Sequence, residues 1–234
     1  MIRYRYIHIL AALFLIIGMA VQILLFRRVA THHAKDRIDL QLQLAEQQLL
    51  FEVYDSYDAT LRLENFINDE MERPDDLLGE TRELLKYYPQ FFSCYAAFPE
   101  NYLPAEGRWF CPCSYRLHDS IYTMKFGNAT HDYFTREWYT GALESDDKGY
   151  WTQPYEDIDF DEIIFTYARQ MKPKQKNITC VLCCDFSVSW VQQLLDRFKP
   201  FDDAVLYLIT AHVPIVELLG LPQFIGHPEY ELLE

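Results

Sequence analysis

Between Ile7 and Phe26 the chain reads IHILAALFLIIGMAVQILLF, and His8 and Gln22 are its only clearly polar residues. At about 1.5 Å per residue, a helix of this run is about 30 Å long, matching the hydrocarbon thickness of a bilayer. The run is longer than a usual secretory h-region and is followed by Arg27-Arg28 instead of a small-x-small cleavage site. It therefore reads as an uncleaved anchor. Arg3 and Arg5 lie on one side of it, and Arg27, Arg28, Lys35 and Arg37 on the other. That count mildly favours a cytoplasmic location for the remainder of the chain, although large domains translocate largely regardless of charge.

With 50% hydrophobic and 24% charged residues, the 234-residue chain has an ordinary globular composition. Thirty-five acidic against 21 basic residues leave a net charge of -14. Such a surface repels phosphate backbones and anionic headgroups, which argues against a nucleic-acid partner. Seventeen Tyr and 16 Phe supply large, rigid contact area, suited equally to a binding cleft and to an aromatic core. The six cysteines, Cys94, Cys111, Cys113, Cys180, Cys183 and Cys184, are compatible with one or two disulfides outside the cytoplasm, with a pairing that sequence does not fix. Their Cys-x-Cys and Cys-x-x-Cys clusters sit in apolar, strand-like runs and not in knuckle turns, which favours buried thiols or disulfides over zinc.

From Ala30 to about Met71 the chain has no Pro or Gly and repeats apolar residues at Leu42, Leu49, Val53, Tyr57 and Leu61, the spacing of a helix. Forty residues of helix extend about 60 Å, continuing out of the membrane span along one side of a domain. Pro74-Asp75-Asp76 ends it and supplies an Asp N-cap for a shorter helix with Leu77, Leu78, Leu84 and Leu85 facing inward. After Tyr88 come short aromatic β-rich runs bounded by turn residues: Phe91 to Phe98, Arg108 to Leu117, Ile121 to Phe126, Ile163 to Met171 and Ile178 to Val188. Helical patterns fall between Asp132 and Ser145 and from Ser189 to Phe198. The expected fold is α+β, an antiparallel sheet flanked by helices with the long N-terminal helix packed on it. A further strand is expected from Asp203 to Thr210.

Several site motifs are absent or incomplete. Asp157-x-Asp159-x-Asp161 begins like a calcium loop, but it has no Gly at its sixth position and Ala168 stands where the closing Glu belongs. Gly-x-Ser-x-Gly, P-loop and His-Glu-x-x-His sequences do not occur. No catalytic residue, metal ligand or cofactor is therefore expected.

Three stretches carry a resemblance: Arg136-Glu137-Trp138-Tyr139, Trp151-Thr152-Gln153-Pro154-Tyr155-Glu156-Asp157 and Cys184-Asp185-Phe186-Ser187. Together they resemble the distal ligand pocket of double Cache sensors, the extracytoplasmic domains of bacterial transmembrane receptors. The run Trp109 to Arg116, with Tyr133-Phe134 and Trp138-Tyr139, is similar to the sensor region of PP2C-type regulatory phosphatases of the sigma-factor regulator group. Sensor histidine kinases and chemoreceptors use the same module. The resemblance implies a Cache sensor domain over residues 30–199, the long helix plus a PAS-like distal lobe with its antiparallel sheet, after an anchor in residues 1–29 that spans the membrane through residues 7–26. Residues 200–234 would open a membrane-proximal lobe, cut short, with no output module.

The resemblance further implies a ligand-binding set: Arg136 and Trp138 at a carboxylate, Tyr155, Asp157 and Asp185 around an amino group, and Tyr139 on the wall. An Arg fork binds carboxylate bidentately and paired carboxylates hold an ammonium, so an amino acid or similar small metabolite is the expected ligand. The expected location is the bacterial inner membrane with residues after about 30 outside, and the expected assembly is a homodimer through the long helix. Two other readings remain open. In one, Arg136 forms a structural ion pair with Asp157 or Asp185 and the domain is a ligand-free dimerisation element. In the other, the Cys clusters serve a membrane-tethered metal or thiol enzyme.

Overall fold

The computed structural model describes residues 2–70, 73–145, 149–157, 160–174 and 178–206. Helix α1 (Ile2–Asn65) runs unbroken through the apolar segment into the polar one and ends in a π-helical turn, Phe66–Glu70. Every residue from 10 to 33 is exposed, among them Leu13, Phe14, Ile17 and Leu24. A helix that is apolar all round needs an apolar surrounding. Among the described residues nothing covers this one, and α1 is the helix long and apolar enough to cross a membrane.

Further along, α1 changes character. Ala45, Leu49, Ser56, Ala59, Thr60, Leu63 and Ile67 are buried at helical spacing. The small residues let the sheet approach closely. The Ser56 and Thr60 hydroxyls donate back to the Val53 and Tyr57 carbonyls at 2.5 and 2.8 Å, so neither is buried unsatisfied. Helix α2 (Asp76–Tyr87) buries Leu77, Leu84 and Leu85, with Leu78 half-buried. Its Asp75 cap position makes no side-chain capping bond. Instead Asp76 accepts from the Arg73 backbone N–H at 2.7 Å.

The sheet contains β1 (Ser93–Ala97), β2 (Pro112–Leu117), β3 (Ser120–Lys125), β4 (Tyr150–Trp151), β5 (Tyr155–Glu156), β6 (Ile163–Met171) and β7 (Cys180–Ser187). It is antiparallel throughout, in the order β3-β2-β1-β7-β6-β4, with β5 also on β6. The last long strand thus pairs with the first and closes the centre of the sheet. Helix α3 (Glu137–Glu144), entered through a 3-10 turn at Tyr133–Thr135, lies in the connection between β3 and β4. Helix α4 (Val188–Asp196) leaves β7 with the Ser187 hydroxyl accepting from the Trp190 N–H at 3.2 Å. This is the α+β arrangement expected from sequence. Of the expected strand Asp203 to Thr210, residues 203–206 form a turn and irregular chain. The rest of it, with the rest of the 200–234 segment, lies outside the described residues.

Alternation along the central strands builds two cores. On β1 and β7, Cys94, Ala96, Cys180, Leu182, Cys184 and Phe186 join the core beneath α1, α2 and α4. Tyr95, Ala97, Val181 and Cys183 join the core on the α3 face. Both strands are buried at every residue, which explains why they read as nearly continuous apolar runs.

Phe186, 2% exposed, stacks on Phe165 at 5.3 Å and meets Phe91 edge-on at 5.0 Å. Phe186→Ala is expected to cost about 3–5 kcal/mol, read by urea unfolding of the detergent-solubilised chain. A loss below about 1 kcal/mol would show that this ring is not part of a packed core.

Candidate functional site

Strand register places Tyr115, Ser93, Asp185 and Thr166 opposite one another on β2, β1, β7 and β6. Alternation sends this row to the α3 face. A cavity of about 240 Å³ opens over it, smaller than the roughly 300–1,000 Å³ of drug-sized sites. The sheet supplies its floor through Ser93, Tyr95, Cys113, Tyr115 and Asp185, while Met124 and Phe126 line the β3 side. Arg136, Glu137 and Trp138 enter from the start of α3, and Tyr155, Glu156, Asp157 and Phe160 come from β5 and the loop after it.

Asp185 sits at the centre of the floor, 3% exposed. Ser93 donates its hydroxyl to one carboxylate oxygen, while Thr166 and Tyr95 donate to the other at 2.6 and 3.2 Å. With the Thr166 proton committed to Asp185, the Tyr155 hydroxyl is left to donate to Thr166 at 2.7 Å. The result is a directed chain, Tyr155 to Thr166 to Asp185. Burial pushes the Asp185 carboxyl up to about 7, opposed by the Ser93 and Thr166 hydrogen bonds and reinforced by the nearby Asp157 charge.

Arg136 caps the N-terminus of α3 in an extended conformation and is half-buried at the cavity wall. Among the described residues its guanidinium makes no hydrogen bond or ion pair, so it is not partnered with Asp157 or Asp185. Trp138 packs edge-on to Tyr95 at 5.1 Å. Tyr139 does not reach the cavity. It packs among Tyr133, Phe134 and Trp138 at 5.4 to 5.8 Å, and burial raises its hydroxyl to about 12.

The structure thus gathers Arg136, Trp138, Tyr155, Asp157 and Asp185 around one cavity and places Tyr139 behind it. Ser93, Tyr95, Tyr115, Thr166, Met124, Phe126 and Phe160 complete the surroundings without having been singled out by sequence. The alternation of β1 around Ser93 and Tyr95, opposite the Asp185 strand, was the available signal. All six cysteines are buried free thiols. Among the described residues, no group of three or more His, Cys, Asp or Glu is placed to hold a metal ion.

A small cavity between an antiparallel sheet and a short helix, with a long helix on the opposite face, defines a Cache or PDC-type sensor domain. The chain belongs to the family described as methyl-accepting chemotaxis protein-like, first PDC sensor domain, whose model matches residues 77–193, half of the chain. Among solved structures, it is similar to methyl-accepting chemotaxis protein X, with 18% identity and a TM-score of 0.60 over 71% of this chain and 66% of that one. It is similar also to the extracellular domain of soHK1S-Z6, described as a histidine kinase, with 23% identity and a TM-score of 0.56 over 64% and 59%. A third is the ligand-binding domain of the Campylobacter jejuni chemoreceptor Tlp3 in complex with L-valine, with 20% identity and a TM-score of 0.50 over 70% and 63%. At these identities the likeness is one of fold, and the chain spans 59 to 66% of the length of the first two. No curated protein sequence matches it.

The raised Asp185 carboxyl ties stability to pH. Its folded value of about 7 exceeds the unfolded value of about 3.9, so its contribution is fully present below the unfolded value and is lost as pH rises through the folded one. Asp185→Asn removes that loss. The Tm of the variant minus that of the wild type, both without ligand, is expected to grow from pH 4 to pH 8. A difference that stays flat across this range would show that Asp185 is ionised in the folded state throughout.

Proposed function

We propose that the cavity binds a small metabolite carrying both a carboxylate and an ammonium group, an amino acid in the first instance. The observation that carries this reading is the unpaired Arg136 guanidinium in the same cavity as two carboxyl groups. The planar fork of Arg136 matches a carboxylate bidentately. Asp185 and Asp157 face the same space and attract an ammonium, while Trp138 and Tyr155 provide the walls. The volume of about 240 Å³ suits a single small molecule. The Tlp3 domain, whose solved form holds L-valine, is a sensor of this fold, which supports a ligand of this class.

In the same reading, residues 1–29 anchor the chain in a bacterial inner membrane and residues 30–199 form the sensor outside it, as part of a single-pass receptor. Ile38, Leu42, Leu44 and Phe51 of α1 are exposed, which supports pairing of this helix with its copy in the membrane. Alkaline phosphatase fused after Glu234 is expected to be active. An inactive fusion, with an active cytoplasmic reporter at the same point, overturns the orientation.

Arg136→Ala is expected to remove charge-assisted hydrogen bonds worth about 1.5–3 kcal/mol, or roughly ten- to a hundredfold in amino-acid affinity by calorimetry. Arg136→Lys restores part of this, because a point charge lacks the fork. Asp185→Asn and Asp157→Asn weaken amino acids more than ligands without an ammonium. An amino-acid ligand bound equally well by folded Arg136→Ala and Asp185→Asn variants would refute the assignment.

A further inference from the structure

The opposite face of the two central strands carries a chemistry that the cavity does not use. Cys94 of β1 and Cys184 of β7 are direct partners in the antiparallel register. Their sulfurs lie 3.5 Å apart, and both residues are fully buried in the core beneath α1 and α2. We propose that Cys94 and Cys184 are the site of a structural disulfide, formed by exchange with a disulfide oxidant when the domain is exported.

The geometry is favourable without backbone movement. Directly opposed residues of antiparallel strands have Cα atoms about 4.5–5.5 Å apart, within the roughly 4.4–6.8 Å that a disulfide spans. The sulfurs need to close by about 1.5 Å to reach the bond length of about 2.05 Å, a displacement that side-chain rotation supplies. The other thiols are placed differently. Cys180 faces the Met171 sulfur at 3.0 Å. Cys113 and Cys183 both lie opposite Tyr95, one on each side of β1, so two strand spacings of about 4.8 Å separate them, beyond the roughly 7 Å limit. Cys111 belongs with those two in the core on the cavity face, across the sheet from Cys94 and Cys184.

The exchange balances with an oxidant of the type RS–SR, a small disulfide or the disulfide of an oxidoreductase. One cysteine thiolate attacks a sulfur of RS–SR and expels RS⁻, giving a mixed disulfide. The second thiolate attacks the protein sulfur of that bond and expels the other RS⁻. The two cysteine protons end on two RSH, the cysteine pair is oxidised by two electrons, and the oxidant is reduced by two. Burial raises both thiols above the ordinary cysteine value and so suppresses the attacking thiolate in the folded domain. The bond therefore forms while α1 is still off the sheet, during folding, and is afterwards shielded. It ties β1 to β7 across the middle of the sheet and closes a loop of about ninety residues, which restricts the unfolded chain strongly.

The test uses the full chain in detergent, refolded with oxidised glutathione, alkylated and mapped by mass spectrometry. The expected product is one linked peptide pair containing Cys94 and Cys184, with the other four cysteines alkylated. A Tm higher than that of the reduced chain by on the order of 10 °C should accompany it. Cys94→Ala and Cys184→Ala each remove the linked peptide and the Tm response to reductant. Six alkylated thiols after refolding, or a link between any other pair, overturn the proposal. The same mapping on chain isolated from membranes, with thiols trapped at lysis, examines export separately. A bond that forms in vitro and is missing there overturns formation on export and leaves the ligand assignment to the calorimetry.

Discussion

Strands β1 and β7 are covered on both faces, and nearly everything else follows from that. Residues of both strands are almost wholly withdrawn from water, so each side chain must be apolar or find partners inside. Six of the eight β7 residues are Cys, Val, Leu or Phe, and Ser187 caps α4. The exception is Asp185, which survives in the middle of the sheet because register sets Ser93 and Thr166 beside it and alternation turns Tyr95 toward it. A slip of one residue would turn Asp185 into the aromatic core and Phe186 into the cavity. The register of the sheet and the chemistry of the cavity are therefore one constraint.

That constraint leaves the cavity electrostatically unfinished. Asp185 is held by neutral hydroxyls and sits near its own midpoint at neutral pH, pushed there by burial and by Asp157. Arg136, at the cavity wall, makes no ion pair among the described residues. The protein does not spend these charges on each other. In the proposed reading a zwitterion would offer a charged partner to both groups at once, whereas an apolar molecule would leave them desolvated without one, which is costly. Discrimination of this kind rests on buried polar groups more than on shape.

The sequence exposed these features unevenly. The anchor and the long helix were legible because their patterns extend over many turns, and β6 and β7 because long apolar β-branched and aromatic runs are bounded by turn residues. Strands β4 and β5 are two residues each, too short for alternation to register. Arg136, Trp138, Tyr155, Asp157 and Asp185 stood out through a recurring set of short stretches. Ser93 and Thr166 did not, since a hydroxyl inside a strand looks ordinary until pairing shows which acid lies opposite. Tyr139 shares its dipeptide with Trp138, but consecutive residues on a helix point about 100° apart. Only one of the two can face the cavity, and here it is Trp138.

The cavity and the long helix touch opposite faces of the same strand. Thr166 of β6 donates to Asp185 on the cavity face. Three residues on, Arg169 points to the other face, where it meets Glu64 of α1 at 2.6 Å and Thr60 at 3.3 Å, with its guanidinium 5.7 Å from the Tyr57 ring. Arg169 is 7% exposed, so its pair with Glu64 is shielded from solvent on one side and does not exchange freely with water. A ligand alters the position of α1 only by as much as it binds one arrangement more tightly than another. A packed strand does not deform continuously. Arg169 thus joins the strand that carries Thr166 to α1, and its partner Glu64 lies within half a turn of the π-helical segment where that helix ends.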